Sequence, residues 1–276
     1  SKDQKGCIIL NQSVFYSESG GQIGDVGNMR CGESNFKVTD TQKKENLIIH
    51  YGTVIDGVFK VADVVELEID VKRRSSCRSY HSATHILHQA LRDTLGDHVT
   101  QKGSLVSFDR LRFDFSHHKS LSEGEIKNIE GIVSHIINSN FNVETKLMKS
   151  EDAINLGALA LFGEKYDDEV RVLSIGDNNS AYYSLELCGG THVEKTSEIG
   201  NFKIISESSA ASGIRRIEAL RGNDLISYNK TRSKQIENDL EKKKIIEDTN
   251  KINLEIIKEL NQNIQEKIKD GETLIV

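Results

Sequence analysis

The sequence predicts an α+β fold in three consecutive parts. These are a small N-terminal β-barrel or β-sandwich (1–70), an α+β core (71–221) and a long helix or helical hairpin (222–270), with 271–276 reading as the start of a further domain. Three observations predict it. Residues 6–70 carry short β-type runs broken by Gly and polar turn residues, with no helical period longer than a turn. Beyond them, strand-like runs stand beside a few helical segments without strict alternation, which favours α+β over α/β. From Asn223 to Asp270 there is neither Gly nor Pro, and charges of both signs alternate around Ile236, Leu240, Ile252, Ile256, Leu260, Ile264 and Ile268.

Taken in order, the N-terminal runs are Cys7–Leu10, Phe36–Val38, Leu47–Tyr51 and Val61–Ile69. His81 to Leu95 places Ala83, Ile86, Leu87, Ala90, Leu91 and Leu95 at helical spacing, with Gly96 where a C-terminal cap belongs. A second helix is expected to start at Ser122, because Ser122 and Glu125 have capping-box spacing ahead of Ile126, Ile129, Ile132, Val133, Ile136 and Ile137. A third, shorter helix is expected over Ser150–Leu161. Strand-like runs fill the rest: Leu105–Phe108, Leu111–Phe115, Val143–Met148, Val170–Ile175, Tyr182–Leu185, Asn201–Ser206 and Ile214–Leu220. In the last segment, Asp248-Thr249-Asn250 could cap a second helix, leaving a hairpin as the alternative to one helix. Its apolar spacing is too irregular for a sustained coiled coil.

Composition narrows the function classes. Of 276 residues 37% are hydrophobic and no apolar run approaches the ~20 residues needed to cross a bilayer, so a soluble chain with a sizeable core is expected and a membrane partner is not. Four scattered cysteines without a secretory signal argue for a reducing cytoplasm over a disulfide scaffold. The net charge of −6 does not by itself advertise nucleic acid. Basic residues are nonetheless clustered, with Lys72, Arg73, Arg74 and Arg78 just ahead of the predicted helix and Arg110, Arg112, Arg215, Arg216 and Arg221 elsewhere. The first residue is Ser and the last five read like a strand beginning, so a segment of a longer polypeptide is expected.

Chemistry concentrates in four residues. His81 and His85 are four apart on the predicted helix, so their imidazoles leave the same face. Cys188 and His192 are also four apart, with Gly189 and Gly190 between them allowing a tight loop that turns thiolate and imidazole toward one centre. Three nitrogens and one sulfur suit tetrahedral Zn²⁺, so one zinc ion is expected. Ser82 after the first His excludes the metalloprotease helix motif, and the zinc deaminase signature is absent. Cys7, Cys31 and Cys77 lack comparable partners.

Around these residues the chain resembles the editing regions of alanyl-tRNA synthetases. The ordered segments are Phe15 to Gln22 (FYSESGGQ), His81 to His85 (HSATH), Gln101 to Leu105 (QKGSL), Arg112 to Phe115 (RFDF) and Cys188 to His192 (CGGTH). Gly163 to Tyr166 (GEKY) and Arg215 to Glu218 (RRIE) extend the match across most of residues 6–221. Tyr80, where the family usually has Asn, and Ser17, where it has Ala or Pro, are small departures. The resemblance implies a β-barrel followed by a zinc-bearing editing core that hydrolyses seryl- and glycyl-tRNA(Ala) while sparing alanyl-tRNA(Ala). It also implies a parent protein that ligates alanine to tRNA, with catalytic and C-terminal domains covalently attached. A free-standing trans-editing deacylase, the related threonyl-tRNA synthetase editing domain and a non-catalytic zinc-dependent RNA-binding module are the alternatives.

The same resemblance places Thr84, Gln101 and Ser104 in the editing pocket. Hydroxyl recognition there could reject an analogue lacking it by roughly 10⁴ to 10⁵, which accounts for serine but not for glycine. A metal with four protein ligands is formally closed, which favours a site-organising zinc over one that lowers the pKa of water. The Gly20-Gly21-Gln22 turn can approach the tRNA end, and Arg73, Arg74 and Arg78 can grip acceptor-stem phosphates.

Overall fold

The computed structural model describes residues 2–159, 168–176 and 182–269. The Gly163 to Tyr166 segment, the end of the third predicted helix and residues 271–276 lie outside the described residues. The fold is α+β with a long C-terminal helix. Residues 1–225 form one compact unit and residues 226–276 a second.

The N-terminal part is a five-stranded antiparallel sheet of β1 (Lys5–Ile9), β2 (Gly27–Cys31), β3 (Ser34–Lys44), β4 (Leu47–Asp56) and β5 (Glu66–Ile69), in the order β1-β4-β3-β2-β5. Alternation builds its core, because every second residue of a strand faces the same side. Phe36 and Val38 of β3 and Met29 of β2 meet Phe15 in one apolar cluster. Strand β2 was missed by the sequence reading, since its GNMRC run has one strongly apolar residue and offers no pattern. The expected Val61–Ile69 strand shrinks to β5, with Val61 and Val64 almost fully exposed.

Helix α1 (Val71–Leu95) begins ten residues earlier than the apolar period indicates. Asp70 caps it, its carboxylate accepting from Arg73 N at 2.9 Å, and such a cap stabilises by about 1 kcal/mol. The first turns are polar and only half-buried or exposed, so they leave no apolar period to read. Gly96 ends the helix at φ +112°, its N–H bonded to Arg92 O at 2.8 Å. The buried face of α1 packs on α2 (Glu123–Asn138) and against β6 (Gln101–Val106) and β7 (Leu111–Ser116). Ser122 and Glu125 form the expected capping box at the start of α2.

Two further antiparallel sheets complete the core. One contains β8 (Asn142–Lys149), β9 (Glu169–Gly176) and β10 (Ser184–Leu187), in the order β10-β9-β8. The other adds β11 (Phe202–Ala211) and β12 (Ile214–Arg221) to β6 and β7, in the order β11-β12-β7-β6. Ile86, Leu87, Leu91, Phe113, Phe115, Ile129, Leu173 and Ile217, all fully buried, join the helices to both sheets in one cluster. Between β8 and β9, helix α3 (Ser150–Asn155) ends well before Leu161.

Helix α4 (Gly222–Lys269) is continuous, so the hairpin alternative does not hold. Thr249, in the segment that could have capped a second helix, instead donates its hydroxyl to Ile245 O at 2.8 Å, one turn back. At 1.5 Å per residue α4 measures about 72 Å. Neither α4 nor any other described helix is long and apolar enough to cross a membrane.

Candidate metal centre

The ligand atoms of His81, His85, Cys188 and His192 all lie within 4.8 Å of one another. Two elements supply them. Helix α1 presents His81 and His85 one turn apart with stacked rings 5.2 Å apart, and the loop after β10 folds back to bring Cys188 and His192 onto that face. Cys188 Sγ stands 3.5 Å from His81 Nε2 and 3.2 Å from His192 Nε2. Four ligands on a tetrahedral zinc would set sulfur and nitrogen roughly 3.5 Å apart, given Zn–S near 2.3 Å and Zn–N near 2.05 Å. The donor set therefore fits the ion.

Each imidazole is tethered by Nδ1, which leaves Nε2 for the centre. His81 Nδ1 donates to Gln22 Oε1 at 2.7 Å, His85 Nδ1 faces Glu186 Oε2 at 3.0 Å, and His192 Nδ1 lies 3.2 Å from Ser82 Oγ. Such partners fix the tautomer and ring orientation that ligation needs. His85 Nε2 is buried and has no hydrogen-bond partner, an orphaned ring nitrogen that would be satisfied if a cation took the place of its proton. A second imidazole on the same stripe, His88, also reaches Glu186 Oε2 at 3.4 Å, and Ser184 donates to the other carboxylate oxygen at 2.9 Å.

The electrostatics suit a cation. Burial alone would raise the Cys188 thiol, but the neighbouring His81 and His85 charges, and hydrogen bonds from His192 and His81, hold it well below its ordinary value. Burial also opposes protonation of His85, yet the adjacent Glu186 carboxylate and Cys188 sulfur raise it to about 10. His192, buried and beside His81, falls to about 3 and stays neutral. A thiolate facing an imidazolium is the arrangement in which an incoming cation displaces a proton.

Around this cluster, glycine is required at Gly190 and Gly21. A Cβ at Gly190 would fall 2.0 Å from His81 Cε1, so only a bare backbone lets the loop pass over that ring. Arg171 holds the same loop by donating to Gly189 O at 3.1 Å and Gly190 O at 2.6 Å. Gly21, at φ +84°, would press a Cβ to 2.6 Å from Ser104 O. Its carbonyl accepts from Val106 N at 2.7 Å, tying the turn to β6.

Comparison with known proteins gives the family frame of these residues. A family model described as "Threonyl and Alanyl tRNA synthetase second additional domain" matches residues 170–218, which contain Glu186, Cys188 and His192, and the model for "tRNA synthetases class II (A)" matches residues 1–73. An alanine–tRNA ligase of Pseudoalteromonas translucida is 52% identical over 225 residues, covering 82% of this chain and 25% of that protein. The alanine–tRNA ligase of Parvibaculum lavamentivorans is 53% identical over 226 residues, covering 80% of this chain and 25% of that protein.

This chain belongs to the alanyl-tRNA synthetase family. It spans about a quarter of the length of the curated relatives it matches.

Within that family frame, several expected nucleic-acid contacts move. Gln22 is fully buried and accepts from His81 Nδ1 and from Thr191 N, the latter at 3.0 Å, so its side chain is engaged with the cluster and not with solvent. Gly21 packs on β6, whereas Gly20 is exposed with open space about its Cα. Arg73, Arg74 and Arg78 lie on the first turns of α1, not ahead of it. Arg74 is committed to the buried Asp25 carboxylate and to Val14 O at 3.0 Å, which removes it from phosphate binding. Arg73 lies over the Phe108 ring at 4.2 Å, and Arg78 is exposed. Thr84 is buried and donates its hydroxyl to Tyr80 O at 2.8 Å. Gln101 and Ser104 are half-buried on β6. Among the described residues, no hydrogen bond joins Thr84, Gln101 or Ser104 to the four clustered side chains.

The sequence reading missed Glu186, Ser82 and Arg171. Glu186 was accessible in principle, because residues 184, 186 and 188 share one face of an extended strand and a carboxylate two positions before a ligand Cys can reach the same site. Ser82 and Arg171 carried no such signal. Cys7, Cys31 and Cys77 are free thiols, Cys77 buried.

Proposed function

We propose that this chain is the editing module of an alanyl-tRNA synthetase, hydrolysing the ester of seryl- or glycyl-tRNA(Ala) and sparing alanyl-tRNA(Ala). The observation that carries the reading is the single convergence of three Nδ1-tethered imidazoles and one thiolate, half of it inside the segment that matches the threonyl and alanyl synthetase additional domain. On this reading the organisation is a β-barrel over 1–70, an editing core over 71–221 and a helical linker over 222–270. The parent protein, acting in the cytoplasm, would join these to an aminoacylation domain and a C-terminal domain.

His81, His85, Cys188 and His192 would hold one zinc ion. Bound there, it would organise the pocket and supply a Lewis-acid centre for an ester carbonyl or water. This chain's own residues do the rest. Gln22, Glu186 and Ser82 keep the imidazoles aimed. Thr84, whose proton is engaged with Tyr80, offers its oxygen lone pairs to a serine hydroxyl or to water. Gln101 and Ser104 line the pocket wall, and Gly20, Arg73 and Arg78 remain as contacts for the tRNA end and backbone.

The test is deacylation of seryl-tRNA(Ala) and alanyl-tRNA(Ala) by the zinc-loaded chain, with and without chelator. Loss of serine but not alanine, stopped by the chelator, is expected. Equal hydrolysis of both esters, or none of either, would refute editing and leave a tRNA-binding module.

A further inference from the structure

We propose that His98, His117 and His118 form a second metal site, distinct from the first, for one divalent ion of the nickel, copper and zinc group. One ring nitrogen from each lies within 4.8 Å of the other two. His98 follows the Gly96 cap of α1, and the other two follow β7, so the site would join two connections that are remote in sequence. The backbone there is already pinned. Ser116 Oγ donates to His98 O at 2.7 Å and accepts from Thr100 N at 2.9 Å, and His117 N donates to Gly213 O at 3.0 Å.

The nitrogen geometry is that of adjacent ligands. His98 Nε2 and His117 Nδ1 share a hydrogen bond at 2.9 Å whose proton a bound ion would displace, and with metal–nitrogen bonds of about 2.05 Å that separation corresponds to an angle of roughly 90° at the ion. Right angles belong to square-planar or octahedral coordination, which copper and nickel prefer. The His118 ring lies 4.8 Å from that of His117 and 6.2 Å from that of His98. His117 is 5% exposed and its Nε2 has no hydrogen-bond partner, whereas His98 and His118 are exposed, so a bound ion would keep positions for water.

The donor chemistry excludes the hard cations. Three imidazole nitrogens without a carboxylate are a poor set for Mg²⁺ or Ca²⁺ and a good one for late first-row metals. Lys119, next in sequence to His118, is drawn toward Glu125 at 3.3 Å. The first centre is separated by a row of ring contacts running from His88 through Phe113 and Phe115 to His117.

The experiment is a nickel titration of the zinc-loaded chain by calorimetry, repeated with His98→Ala, His118→Ala and the double variant. Both substitutions are at exposed positions, and zinc content and far-ultraviolet circular dichroism establish that each variant is folded with its first site filled. One further equivalent of nickel is expected in the wild type, roughly tenfold weaker binding in each single variant and none measurable in the double. Nickel should also raise the wild-type melting temperature, since folding brings His98 to His117 and His118 and so favours the ion over the unfolded chain, and should leave the double variant unmoved. A wild type that takes up no nickel, or a double variant that still binds within tenfold of it, overturns the proposal.

Discussion

Gln22, Glu186 and Ser82 touch no substrate in this account, yet each fixes one imidazole through Nδ1. Removing such a partner typically weakens metal binding roughly 10- to 100-fold. Gln22→Ala should therefore release zinc to a competing chelator at lower concentration, while Gln22→Glu, which keeps an acceptor at the same place, should recover most of the affinity. Unchanged zinc affinity in Gln22→Ala would show that the His81 tether is ornamental. Gly190→Ala tests the same ring from the other side, and zinc uptake should fall because the new methyl occupies the space of His81 Cε1. Of these residues, only the four that converge were legible beforehand. His81 and His85 announced themselves by helical spacing and Cys188 and His192 by the glycines between them. Gln22 was assigned to the tRNA end, because one chain cannot reveal that a turn in the first sheet meets an imidazole 59 residues away. Arg74 misled for the same reason, since its partner Asp25 lies 49 residues earlier.

Helix ends show where local sequence suffices and where it does not. The start of α2 was readable because Ser122 and Glu125 satisfy each other's backbone groups within four residues. Ser122→Ala should cost about 1 kcal/mol in denaturant unfolding and leave zinc content intact. Glu125 adds a pH signature. The Ser122 backbone N–H, then the Ser122 hydroxyl, hold its carboxyl down to about 2 in the folded chain, from an ordinary value of 4.5. A group depressed on folding stabilises above its unfolded value and loses that contribution as pH falls through the folded one. Relative to Glu125→Gln, the wild type should thus lose stability between about pH 4.5 and pH 2, and parallel profiles would count against the cap. The start of α1 was not readable, because Asp70 caps turns that carry no apolar stripe. Strand β2 was hidden for a related reason, its place in the sheet being set by the ladders to β3 and β5 and not by its own composition.

At the scale of the whole molecule, the α+β class followed from the mixture of long strand runs and few helices, and the long final helix from its want of Gly and Pro. Sheet order was not legible, because β12, the hairpin partner of β11, also pairs with β7, which lies about a hundred residues earlier. Every ligand of the first centre and every residue of the main apolar cluster lies before residue 226. A chain ended at Leu225 should accordingly melt cooperatively and hold the same single zinc equivalent, and failure to fold would assign residues 226–269 a stabilising role.

X-ray absorption at the zinc edge, on the chain loaded with one equivalent, reads the central claim without assuming any activity. One sulfur near 2.3 Å and three nitrogens near 2.0 to 2.1 Å are expected, with the sulfur shell lost in Cys188→Ala. A zinc shell without sulfur in the wild type, or one unchanged by that substitution, would contradict the four-residue centre.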